Sequence, residues 1–203
     1  MRTGISRILI AGTTAVTVIA LSASMALGAA APRFTVRPGG KYTAKAGKTV
    51  LVDNHTKTKL TCKSASARGK LKSGRHLPGR NIGTITSSSF NKCTGPLGLT
   101  FKVKQIGTWN LTVSKFNRRT GVSTGFISNV HATLSGPSCS ATVTGRTDVT
   151  FKNRTDILSV KAVAKSGHVL MISKVNNCLQ LIRNGDHSSF TGSYKITPKQ
   201  HIS

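Results

Sequence analysis

Three features of this chain point to an all-β fold, an antiparallel β-sandwich or partly open barrel stapled by disulfides. Short Val- and Thr-rich runs alternate apolar with polar residues, turn-forming residues punctuate them frequently, and beyond the N-terminal stretch no segment sustains helical spacing. The alternating runs are Phe34-Thr35-Val36, Thr49 to Val52, Leu99 to Val103, Trp109 to Val113 and Ala141 to Val143. Trp109 to Phe116 and Gly125 to Leu134 extend the pattern as two strands joined by the polar hairpin turn Asn117-Arg118-Arg119-Thr120-Gly121. Pro38-Gly39-Gly40, Pro78-Gly79, Gly95-Pro96, Gly136-Pro137 and Asn184-Gly185-Asp186 supply further turns.

The N-terminal stretch has a different chemistry. Arg2 and Arg7 precede an uncharged apolar and small-residue run from Ile8 to Leu27, and small residues between Gly28 and Ala31 offer cleavage sites. This is the pattern of a secretory signal peptide over residues 1–31. An uncleaved anchor helix fits less well, because Thr, Ser and Ala dilute the run. The expected product is a secreted protein, extracellular or cell-wall associated, without a stable transmembrane anchor. It has 203 − 31 = 172 residues, enough for one domain or two small ones with a real core.

Four cysteines in an exported chain point to two disulfides. Three pairings are open, and a weak internal duplication favours Cys62 with Cys93 and Cys139 with Cys178. Each segment opens on cysteine and later glycine (CKSASARG from Cys62, CSATVTG from Cys139). Each closes on isoleucine, a polar run and cysteine (ITSSSFNKC from Ile85, ISKVNNC from Ile172), and each is followed by Gly-x-aromatic, at Gly107 to Trp109 and Gly192 to Tyr194. The expected organisation is a first β half over 32–136 and a second over 137–203, packed as one unit because no low-complexity linker separates them. A zinc site is a poor reading of these cysteines, since none forms a C-x-x-C pair.

The charge balance is extreme: 30 Lys+Arg against 4 Asp+Glu, a formal +26 that becomes +24 without Arg2 and Arg7. Such a chain attracts anionic cell-wall or extracellular polymers, and nucleic acid non-specifically, in a salt-sensitive way. The basic residues are dispersed, so the competing reading is a solvated surface that confers solubility. The densest local feature runs from Gly69 to Gly83, where Lys70, Lys72, Arg75 and Arg80 alternate with glycines. Read as a glycine-rich loop, it would hold phosphate or sulfate groups with backbone amides and cations.

The C-x-A-x-V-x-G run from Cys139, the Asn-Asn-Cys close at Cys178 and the ending Gly185-Asp186…Phe190-x-Gly192-x-Tyr194 resemble a group of exported actinomycete proteins of unknown function. The resemblance implies a secreted β-rich protein and brings no catalytic residue with it. The strongly basic charge departs from that group.

Catalytic signatures are absent from the sequence. There is no Glu, and Asp53, Asp148, Asp156 and Asp186 are the only carboxylic side chains. Asp186 sits in an Asn-Gly-Asp turn, where aspartate commonly bonds the local backbone. No G-x-S-x-G elbow occurs, and His55, His76, His131, His168, His187 and His201 lack metal-ligand spacing. The expectation is therefore a non-catalytic protein with no metal and no cofactor. Its alternatives are a secreted hydrolase with a site assembled from distant residues, or a small basic antimicrobial or toxin protein.

Overall fold

The period-two runs become strands in a computed structural model that describes residues 31–161 and 166–203. The signal peptide expected over 1–31 lies, but for its last residue, outside the described residues. Fourteen strands follow in order: β1 (Arg33–Arg37), β2 (Gly40–Ala46), β3 (Thr49–Asp53), β4 (Lys59–Leu71), β5 (Gly74–Pro78), β6 (Gly83–Thr94), β7 (Thr100–Gln105), β8 (Trp109–Asn117), β9 (Val122–Ser135), β10 (Ser140–Lys152), β11 (Ile157–Val160), β12 (Leu170–Asn176), β13 (His187–Thr197) and β14 (His201–Ile202). No described helix is long and apolar enough to cross a membrane.

Eleven of these strands form one antiparallel sheet that closes on itself. Three walls are each built from two consecutive strands. β2 and β3 both lie between β4 and β13. β7 and β8 both lie between β6 and β9. β11 and β12 both lie between β10 and β13. Eleven strands less three gives eight staves, each beside its neighbour in sequence, with β13 returning to β2 and β3 to seal the ring. The all-β, antiparallel class is as expected, and of the two expected architectures the barrel is the one formed, closed all round. Closure leaves no long edge strand among the described residues to template association.

The remaining strands close one end. β1 pairs with β14 on one side and β5 on the other. All three adjoin the end where β2 and β6 begin and β4 and β13 finish. Phe34, Val36 and Ile202 are buried there. Gln200 and Asn153 fasten this small sheet to the barrel. The Gly39 amide donates to Gln200 Oε1 at 3.0 Å. The Asn153 side chain donates to the Ile202 carbonyl at 2.8 Å and accepts from its amide at 3.0 Å.

Alternation explains why these residues make these walls. On β2 the side chains of Tyr42, Ala44 and Ala46 are buried while Lys41, Thr43 and Lys45 are exposed, and β13 repeats the pattern with Tyr194 and Ile196 against Lys195 and Thr197. Side chains two apart share a face, so the sequence period sorts lumen from exterior. Each fully buried aliphatic such as Ile82, Ile172 or Val36 contributes roughly 1.5–3 kcal/mol of transfer free energy.

Both disulfides have the favoured pairing, Cys62–Cys93 and Cys139–Cys178, and both lie toward the end opposite the small sheet. Each joins two antiparallel neighbours, β4 to β6 and the start of β10 to the end of β12. The two modules differ in their middle strand: β11 stays in the barrel wall, whereas β5 leaves it to close the end. Residues Ala31–Ser203 form a single compact unit.

The second bridge fastens the 177–186 segment, where β12 pairs with β13 only at Leu170 and Met171. Replacing both Cys139 and Cys178 by serine is expected to cost about 2–4 kcal/mol, read as a lower urea midpoint. An unchanged midpoint would show that the bridge adds nothing to the folded state.

Candidate functional site

The few acids and the many bases of this chain are sorted by burial. Every described lysine and arginine is exposed, whereas Asp53, Asp148, Asp156 and Asp186 are all buried. The carboxylates serve internal structure. Asp53 Oδ1 accepts the amides of His55 and Thr56 at 2.8 and 2.9 Å and so builds the β3–β4 turn. Asp186 Oδ2 accepts the Arg183 amide at 2.8 Å, and its Oδ1 lies 3.2 Å from His55 Nδ1, joining that turn to the 177–186 segment. Asp156 takes the Gln200 amide at 3.3 Å and the Lys195 ammonium at 3.3 Å. Asp148 holds Ser166 Oγ at 2.8 Å and His168 Nδ1 at 2.7 Å. The outer surface is left with cations and no exposed carboxylate among the described residues.

Strand register then concentrates those cations. Lys41 on β2 lies directly opposite Lys70 on β4, and Thr43 opposite Arg68. Lys45 lies opposite Lys195 on β13. Directly opposed residues in an antiparallel pair are about 4.5–5.5 Å apart between Cα atoms, and like charges so placed repel. The Lys195 ammonium is drawn aside by the Thr155 carbonyl at 2.7 Å and by Asp156. Lys41, Lys45, Arg68 and Lys70 remain as a cluster on one wall, with no acid in the facing positions.

The expected anion loop has a different structure. Lys70 lies near the end of β4, Arg75 lies in β5, and only Lys72 and Arg80 fall in the intervening turns. All four side chains are exposed, but the segment belongs to two sheets, with Lys70 on the barrel wall and Arg75 on the end sheet. Gly69, Gly79 and Gly83 serve close packing instead of an anion cradle. A Cβ at Gly69 would collide with the Thr84 carbonyl oxygen, and one at Gly79 with that of Val113. The Lys72 amide is already spent on the Ile82 carbonyl at 2.8 Å. Of the four residues named from sequence, the register places Lys70 in the lysine cluster. Lys41, Lys45 and Arg68 were missed; the signal available was their shared parity on two alternating strands, which requires the pairing to interpret.

Two of the histidines, His55 and His168, pair with aspartates. In the Asp148–His168 pair, Ser166 Oγ bonds the second oxygen of Asp148, so this serine is not placed on the free ring nitrogen as a nucleophile would be. The His168 ring lies against Phe126, with centroids 4.3 Å apart. Among the described residues no three His, Cys, Asp or Glu side chains gather as a metal would require. Burial alone would raise the Asp186 carboxyl. The Arg183 amide and His55 outweigh burial and hold Asp186 below the usual carboxylate range.

Two predictions follow from this distribution of charge. Lys70→Glu sets an anion opposite Lys41 and should raise stability by roughly 0.2–1 kcal/mol in urea unfolding at low salt, with the gain shrinking as salt rises; a loss would refute the repulsion. Because the Asp186 pKa is depressed by folding, its contribution is fully present above the unfolded value of about 4. It is lost as pH falls through the lower folded value. Asp186→Asn should therefore flatten the decline of the urea midpoint between about pH 5 and pH 2, and an unaltered decline would assign acid lability elsewhere.

Compared with protein-family models, curated proteins and solved structures, the chain matches none.

Proposed function

We propose that this is an exported, non-catalytic protein that binds anionic polymers of the cell wall or extracellular surroundings through the outer wall formed by β13, β2 and β4. The observation that carries the reading is the opposed Lys41 and Lys70, flanked by Lys45 and Arg68, on a surface with no exposed carboxylate among the described residues. Such an arrangement costs stability in the free protein, and a polymer with repeating negative charge relieves it. Binding of this kind displaces condensed counterions and weakens steeply with salt. Lys72, Arg75 and Arg80 lie at the adjoining end and extend the same field. Two disulfides support an oxidising, extracellular setting.

The experiment is sedimentation of the protein with purified cell walls and, separately, with DNA, across a salt series. Lys41→Glu/Lys45→Glu/Lys70→Glu is compared with Lys115→Glu/Arg118→Glu/Arg119→Glu, which removes equal charge around the β8–β9 turn. Binding to walls that persists at higher salt than binding to DNA, and that falls further in the first triple variant, is the expected result. Equal losses in the two variants would reduce the interaction to net charge, and no sedimentation at low salt would end the proposal.

A further inference from the structure

The barrel lumen is not filled by its own side chains. A cavity of about 90 Å³ lies inside it, lined by residues from every stave. Its walls are apolar and aromatic, including Tyr42, Ile85, Trp109, Val130, Val143 and Tyr194. Among the described residues, no aspartate, lysine, arginine or histidine lines it.

The two ends of this cavity differ. Toward the closed end Tyr42, Trp109 and Tyr194 are buried, with Leu158 half-buried beside them. Toward the disulfide-bearing end Leu51, Leu60, Phe90, Val103 and Phe190 are each only half-buried. Phe90 and Phe190 meet edge-on with ring centroids 6.0 Å apart. They come from β6 and β13, which are not adjacent staves, so the pair reaches across the lumen above the hairpin of β3 and β4. The cavity therefore approaches solvent beneath an aromatic pair whose side chains can rotate without breaking any strand pairing.

Two hydroxyls give the lumen its chemistry. Thr49 Oγ1 and Ser88 Oγ are buried and have no hydrogen-bond partner among the described residues, and both residues line the cavity. A buried hydroxyl without a partner is destabilising, and an occupant carrying an oxygen can satisfy it. A charged occupant would be desolvated with no counter-charge, which excludes ions and carboxylates.

We propose that the barrel binds a small uncharged apolar molecule bearing a hydroxyl oxygen, entering past Phe90 and Phe190 and hydrogen-bonding to Thr49 or Ser88. The cavity is smaller than the roughly 150 Å³ that accommodates benzene, so only the smallest alcohols fit it as it stands, and 1-butanol and longer guests must displace the aromatic pair.

The chain has a single tryptophan, and Trp109 lines the cavity, so its emission reports occupancy. Titration with linear alcohols from 1-propanol to 1-octanol should give a saturable emission change, with affinity rising with chain length and then breaking off. Thr49→Val should weaken 1-butanol about tenfold, as loss of one hydrogen bond implies, while leaving the binding of 1-chlorobutane unchanged. Ala132→Leu, which fills the lumen, should abolish the response; Ala44→Val tests the same point from the facing wall should the larger side chain unfold the barrel. A non-saturating response, or one that survives the filling variant, would overturn the proposal.

Discussion

The pairing of β13 with β2 and β3 is the contact on which the rest of the structure depends. It joins the last long strand to the first and converts a meandering sheet into a ring. Once the ring is closed, every alternate side chain has one of two destinations. Tyr42, Ala44 and Ala46 must share the lumen with Tyr194 and Ile196, and Lys41 and Lys45 must face outward. The lumen then needs a cover at each end. The sheet of β1, β5 and β14 supplies one, and side-chain bonds from Gln200 and Asn153 help to hold it in place.

The same closure explains how a chain with four acids and thirty bases folds stably. The acids are placed where one carboxylate satisfies several donors, at turns and between segments, and none is used to neutralise the outer wall broadly. Asp53 and Asp186 show this most clearly: together with His55 they connect the β3–β4 turn to the segment before β13, at the end where the β12–β13 ladder is shortest. Hydrogen bonds to buried carboxylates are among the stronger contacts available to a small domain. The exterior keeps its repulsion as a result.

Several of the strands and the favoured disulfide pairing were readable in the sequence because both rest on local information. Val- and Thr-rich alternation marks the Thr49 and Trp109 runs as strands whatever lies beside them, and the repeated flanks of Cys62 and Cys139 identify their partners. What was not readable depends on pairing between distant segments. That β7 and β8 form one wall follows from their shared neighbours β6 and β9. Gly69 and Gly79 look like loop glycines in isolation, but the constraint on them is the approach of the Thr84 and Val113 carbonyls. The opposition of Lys41 and Lys70 is likewise a property of register, and a one-residue slip would dissolve it.

A wall that carries only cations also governs how molecules of this protein meet one another. Two copies approaching side by side offer each other no complementary charge, so lateral contact is disfavoured over a range set by the Debye length, about 8 Å at physiological ionic strength. Spread on any support, such molecules keep a spacing that contracts as salt is added and expands as it is removed. Their maximal surface density is then an electrostatic quantity as much as a steric one. The burial of four aspartates thus reaches beyond the fold, to the distance at which neighbouring molecules come to rest.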